Sequence, residues 1–203
     1  MDKIRNDRDL ALYLVFAKID SLLKEKERVI LAIDGRSGSG KTTLARAIQE
    51  KYGCAVIHMD DFFLRPEQRP PERYAQAGGN VDRERFLDEV LIPLSRGEEP
   101  CFRPFDCGKM DFADPVSVNT AGLTVIEGVY SMHPDLAPYY DASIFLTIDG
   151  ELQKKRITER APEMAQRYFE EWIPMEEKYF SQLKISEKCD RIIKITEKKQ
   201  EKR

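Results

Sequence analysis

Histidine and cysteine are scarce in this 203-residue chain, at two and four residues. None of Cys54, Cys101, Cys107 and Cys189 stands in a C-x-x-C pair, so the spacing excludes a structural zinc site of the usual kind. Free thiols in a reducing, cytoplasmic setting are the expectation. Positive charge is not in excess: 33 Lys and Arg face 36 Asp and Glu, for a net charge of −3. That balance argues against a dedicated nucleic-acid binder. Long apolar runs are missing too. The longest uncharged stretch, Pro115 to Ile126, is 12 residues and contains proline, asparagine and glycine, so no membrane span fits in it. The apolar run Leu10 to Ala17 sits among Asp2, Asp7, Asp9 and Lys18 and reads as a helix rather than a secretory signal.

What the chain does have is a rhythm. Its length is that of one domain, large enough to bury a core without staples. Five short apolar runs recur: Val29–Ile33, Ala55–Ile57, Leu123–Ile126, Ser143–Ile148 and Arg191–Ile195. Each is too short for a helix and reads as a buried strand. Helical patterns lie at 4–26, 41–51, 83–96, 151–160 and 163–182, with no internal repeat. Strands alternating with helices predict a three-layer α/β fold, a mostly parallel sheet of about five strands with helices on both faces. Two segments rich in Pro and Gly, 65–80 and 97–115, interrupt the alternation and are read as functional or mobile loops. The last residues, 197–203, are almost all charged and read as a solvated tail.

The first strand runs straight into Gly35-Arg36-Ser37-Gly38-Ser39-Gly40-Lys41-Thr42, a full G-x-x-x-x-G-K-[ST] match followed by a helix. Gly35, Gly38 and Gly40 let the backbone curl so that successive N–H groups face an anion. The following helix adds its positive end. Lys41 is placed for the β- and γ-phosphates of a nucleoside triphosphate, and Thr42 for Mg²⁺. Residues 35–42 together with Thr43 are therefore read as the nucleotide-binding set.

Such a loop serves several protein classes. A GTPase would need D-x-x-G and N-K-x-D, and neither occurs; Leu94-Ser95-Arg96-Gly97 is not the signature of a transport ATPase. A compact kinase of a metabolite remains. Asp60, at the end of the second strand, sits where ligands bind in open α/β sheets and can orient and deprotonate an acceptor hydroxyl. Glu127, at the end of the third, is placed for the Mg²⁺ shell, to which Asp60 is also assigned. A plain helix cap or turn acid is the alternative for both.

The combination IDGRSGSGKTT, VIHMDDFF, NVDRERF, RPFD and VIEGVY resembles the uridine kinase and phosphoribulokinase family of P-loop kinases, over about residues 28–160. The resemblance implies a single P-loop kinase domain over 1–203, with an N-terminal helix (1–26) and a helical lid followed by a further helix at about 150–182. It matches Asp60 to the family's catalytic Asp and Phe63 to the Tyr of its D-x-F-Y motif. Asp82 matches the residue that holds acceptor hydroxyls, and Phe105-Asp106 match the Tyr-Asp pair. The histidine that follows that pair in nucleoside kinases is absent here; Cys107-Gly108-Lys109 stands instead.

Arg156 and Arg160 are four apart, on one face of the lid helix, and are assigned to the charge on the transferred group, with Arg167 third. His58 and His133 have no partner visible in the sequence. The reading is an ATP- and Mg²⁺-dependent kinase of a small hydroxylated acceptor, with no nucleic-acid or membrane partner. The favoured acceptor is a nucleoside such as uridine or cytidine. A sugar phosphate, a vitamin precursor, or a regulatory ATPase without an acceptor are the alternatives, and oligomeric state is left open.

Overall fold

Alternation within the first strand explains the layering. In β1 (Val29–Gly35) every residue is buried, and odd and even positions serve different cores. Val29, Leu31 and Ile33 pack with Val15, Ile19 and Leu22 of α1 (Asp7–Glu25) and with Ala45 and Ile48 of α2 (Lys41–Tyr52). Ile30 and Ala32 face the other way, toward Phe86, Val90, Leu91, Tyr179 and Phe180. A strand apolar on both faces needs helices on both sides, and the computed structural model, which describes residues 7–197, has them.

The remaining strands are β2 (Ala55–His58), β3 (Leu123–Glu127), β4 (Ala142–Ile148) and β5 (Arg191–Ile195). They form one sheet of order β2-β3-β1-β4-β5, and every pairing is parallel. The five strands expected from sequence are thus all present. Register matters for function. Glu127 pairs with Ile33 on one side and His58 on the other, which brings the ends of three strands together.

Two helices widen where proline approaches. α3 (83–95) and α5 (165–183) each contain a π turn, Leu87–Leu91 and Tyr168–Trp172, directly ahead of Ile92-Pro93 and Ile173-Pro174. In each, the isoleucine N–H reaches five residues back, to Leu87 O or Tyr168 O. Proline offers no N–H and crowds the carbonyl four residues back, so a wider turn relieves the clash. Between them lies α4 (Gly150–Arg160), capped by Asp149 and ended before Pro162.

The two irregular segments are more ordered than their composition suggests. Residues 97–117 contain two antiparallel pairings, Cys101–Phe102 with Val116–Ser117 and Phe105–Asp106 with Asp111–Phe112. Residues 65–80 hold a turn at Pro66–Gln68 and a helical turn at Pro71–Tyr74. The four cysteines are free. No helix among the described residues is long and apolar enough to cross a membrane. Most of the charged tail, residues 198–203, and the first residues of the N-terminal helix expected from residue 4 lie outside the described residues; Glu197 pairs with Lys155 at 2.8 Å.

Gly35 is where β1 and β4 pass closest. A Cβ there would lie 2.0 Å from Leu146 O, at φ 137°. Gly35→Ala should therefore lose cooperative unfolding by circular dichroism. Gly53→Ala, also at positive φ (62°) but with nothing within 4 Å, should cost about 1 kcal/mol and a few degrees in Tm. Equal effects would contradict this packing.

Candidate active site

The loop between β1 and α2 has the curl its sequence demands. Gly38 and Gly40 take φ of 75° and 97°, and nothing lies within 4 Å of a Cβ built on Gly40. The first amides of α2 have no partner within the helix. Together with Gly40 they leave a concave wall of donors at the helix's positive end. Ser39 Oγ is buried there without a hydrogen-bond partner, an orphan that a phosphate oxygen would satisfy. Lys41 Nζ donates to Gly35 O (2.8 Å) and Arg36 O (3.2 Å), which folds it over the loop.

Below the loop sits a buried acid that the sequence reading passed over. Asp34 has 0 % exposure, and its carboxylate accepts from Gly35 N (2.6 Å), Met132 N (2.9 Å) and the Tyr179 hydroxyl (2.8 Å). Loss of water pushes its pKa up to about 6 in spite of three donors. An acid at the end of an apolar strand run, one residue before the loop, was the available signal.

Glu127 is buried at the end of β3, and its Oε1 accepts from the Thr42 hydroxyl at 3.1 Å. His58 Nδ1 lies 2.6 Å from the same oxygen. The carboxylate holds the His58 pKa above its ordinary value. His58 therefore has a partner, set by the β2–β3 register and invisible in the sequence. A hydroxyl and a carboxylate are hard oxygen donors, the set that Mg²⁺ takes alongside phosphates and water. Among the described residues no cluster of three or more His, Cys, Asp or Glu side chains is placed to hold a metal alone.

Asp60 is the second residue of the 3₁₀ turn Met59–Phe62 after β2. Its side chain is exposed at the sheet's end, near the charges of Lys41, His58, Glu127 and Arg160. Desolvation pushes its pKa up, opposed chiefly by the Lys41 charge; Glu127 adds to the rise, and Arg160 opposes it. Asp61 beside it is also raised by burial, with His58 opposing.

The segments singled out for the acceptor meet here. Phe63 bridges to Val81, Asp82 N donates to Phe62 O (2.7 Å), and the Phe63 and Phe105 rings meet edge to face at 6.4 Å. Asp82 is buried and fully engaged: it caps α3 through Arg85 N (3.1 Å) and accepts from Gln68 Nε2 (2.9 Å). Asp106 spends one oxygen on the Gly108 and Lys109 amides at the tip of its hairpin. Arg85, unremarked in the sequence, joins the parts, donating to Asp61 O and Arg103 O with its guanidinium over the rings of Phe62 and Phe112.

The arginines of the expected site have partners within the protein. Arg36 turns away from the nucleotide side: its N–H goes to Leu146 O (3.0 Å) and its guanidinium to Glu177 and Thr147. Arg156 donates to Gly38 O at 3.1 Å and so supports the loop's backbone. Arg167 pairs with Glu171 one turn on. Arg160 is held by the Tyr168 hydroxyl (3.1 Å), and its charge reaches Asp60.

A curled loop of free amides, a lysine over it and carboxylates on the adjoining strand ends define a P-loop nucleotide-binding site. No family model matches the chain. Over 147 residues it is 30% identical to nicotinamide riboside kinase 1 of Mus musculus, covering 68% of this chain and 69% of that protein. It is 23% identical over 138 residues to the uridine kinase of Geobacillus kaustophilus, covering 63% and 64%. It also matches the tRNA-specific adenosine deaminase subunit tad2 of Schizosaccharomyces pombe at 30% over 135 residues, but spans only 32% of that protein. Among solved structures, a possible uridine kinase from Bacillus stearothermophilus superposes with a TM-score of 0.63 at 22% identity, over 88% of this chain and 98% of that one. The phosphoribulokinase of Rhodobacter spheroides gives 0.59 at 16%, over 83% and 70%. The chain belongs to the family of nicotinamide riboside kinase, P-loop kinases of small molecules, and it shares its fold with the possible uridine kinase and the phosphoribulokinase.

Two buried groups near the site have opposed acid responses. His133, stacked on Tyr179, has its pKa lowered to about 4 by burial. Between its ordinary value of 6.5 and 4 only the unfolded chain takes up that proton, so stability falls as pH falls, by at most about 3 kcal/mol. Asp34, raised from 3.8 to about 6, is protonated first in the folded state. It adds up to about 3 kcal/mol of stability as pH falls over 6 to 4. Urea unfolding at pH 7 and 4.5 should show His133→Gln gaining stability relative to wild type on acidification and Asp34→Asn losing it. Parallel pH trends in all three proteins would refute the assignment.

Proposed function

We propose that the protein transfers the γ-phosphoryl group of ATP to a hydroxyl of a small riboside, a nucleoside of the uridine or cytidine kind being favoured. The observation that carries this reading is Asp60. It is a carboxylate of raised pKa at the mouth of the sheet, in the field of Lys41 and Arg160. Two relatives, a nicotinamide riboside kinase and a uridine kinase, support the riboside class.

The roles follow from chemistry. The amides of residues 38–43, the Ser39 hydroxyl and Lys41 would bind the phosphates, and Thr42 and Glu127 would hold Mg²⁺, with Asp60 at the edge of its shell. When bound, Mg²⁺ neutralises phosphate charge and aligns the phosphoryl group. Asp60 orients the acceptor hydroxyl and takes its proton; its raised pKa makes it a better base than an Asp of ordinary pKa. Arg160, held by Tyr168, offsets negative charge on the transferred group. Phe63, Phe105 and the 105–112 hairpin wall the acceptor side. Asp82 would hold ribose hydroxyls by exchanging its Gln68 contact, and Asp106 lies at that wall's rim.

Coupled detection of ADP release over a nucleoside panel tests the reading. Wild type should release ADP faster with an acceptor present. Asp60→Asn should keep ATP binding and lose roughly 10²–10⁴ in turnover. ADP release indifferent to every acceptor, or an Asp60→Asn variant at wild-type rate, would overturn it.

A further inference from the structure

Glycine-rich loops have little shape of their own, since glycine leaves the backbone free. In this chain the crown of the phosphate loop, residues 36–38, is tied down from two helices, α4 of the lid and α5 that follows it. From α4, Gln153 Nε2 donates to Ser37 O (2.9 Å) and Arg156 to Gly38 O. From α5, the Glu176 carboxylate accepts from both Ser37 N (3.0 Å) and the Ser37 hydroxyl. Glu177, next to it, accepts from Arg36 Nε (2.6 Å) and Nη2 (2.7 Å), a two-pronged pair, while the Arg36 guanidinium lies 5.7 Å from the centre of the Phe180 ring. Every polar group of Ser37 is thereby used by a helix more than a hundred residues away.

Glu176 is the telling member. It is 4 % exposed and lies in the field of Lys41, beside a site built for anions. A buried carboxylate there loses its water and repels a triphosphate, costs offset by the Lys41 charge and by its bonds to the loop. Moreover, α5 is continuous with the lid. Its first turns carry Tyr168, which holds Arg160, and Trp172, the chain's single tryptophan.

We infer that Glu176 and Glu177 are positioning residues for phosphoryl transfer: from the helix that continues the lid, they set the crown of the phosphate loop and link its shape to lid position. The inference rests on the nucleotide reading of the loop and adds an arm that no part of the P-loop motif contains.

The test titrates the full-length chain with Mg·ADP, by calorimetry and by Trp172 emission, with melting temperature as the folding control. Glu176→Ala and Glu177→Ala should weaken Mg·ADP roughly tenfold or more, the loss of a charge-assisted bond. Both should also lose the Trp172 emission change at saturation. Glu176→Gln keeps an oxygen facing Ser37 and should stay within roughly threefold of wild type. Should an alanine variant not fold, the charge swap Arg36→Glu with Glu177→Arg decides, because it should bind better than either single change. Alanine variants that bind as wild type, a Gln variant as damaged as Ala, or a swap no better than its singles would overturn the brace. A wild-type chain that does not bind Mg·ADP would overturn the nucleotide reading, and the inference with it.

Discussion

One carboxylate without water organises the mouth of this sheet. Asp34 accepts from the first residue of the phosphate loop, from the Met132 amide after β3 and from the Tyr179 hydroxyl on α5. Those are the three segments whose relative placement makes a site. An unpaired buried acid would be costly, and three donors are what make it tolerable. The solvation loss still shows in the raised pKa. The same geometry that carries this cost fixes where the loop begins, where the post-β3 turn lies and how α5 approaches. Tyr179 then places Glu176 and Glu177, its neighbours on α5, against the loop.

Around that anchor the charges alternate in a way that suits phosphoryl chemistry. Lys41 lies between the loop carbonyls and the field of Asp60; Glu127 is shared by Thr42 and His58; Arg160 approaches from the lid. No pair is an isolated ion pair, so each member can change partner when phosphates and a cation arrive. His58 and Thr42 both lie on Oε1 of Glu127, and a cation would compete with them for that oxygen. Asp34 is held by three donors, whereas the raised pKa of Asp60 reflects desolvation set against the charges of Lys41, His58 and Arg160.

Much of this was written in the chain's periodicity, and some of it was not. The five strands were legible because each is an apolar run too short to be a helix, the central ones buried on both faces. The loop was legible because its chemistry requires glycine at fixed spacing. Partnerships that depend on register or on distant helices were not. His58 meets Glu127 only because β2 and β3 are parallel and adjacent. The Arg36 guanidinium is held by Glu177, 141 residues on, a partnership the sequence does not show. The hairpins within 101–117 have strands of two residues each, below the length at which alternation can be seen. For Asp82 the resemblance implied an acceptor role; the structure shows a helix cap, and the acceptor role stands as a proposal.

The central claim is that the loop and Asp60 together move a phosphoryl group to an organic hydroxyl rather than to water. Incubating the chain with γ-³²P-ATP, Mg²⁺ and a mixture of ribonucleosides, then separating organic from inorganic phosphate, measures that partition. The account predicts label in organic phosphate for the wild type and none for Lys41→Ala. Label appearing only as inorganic phosphate from the wild-type chain would contradict it.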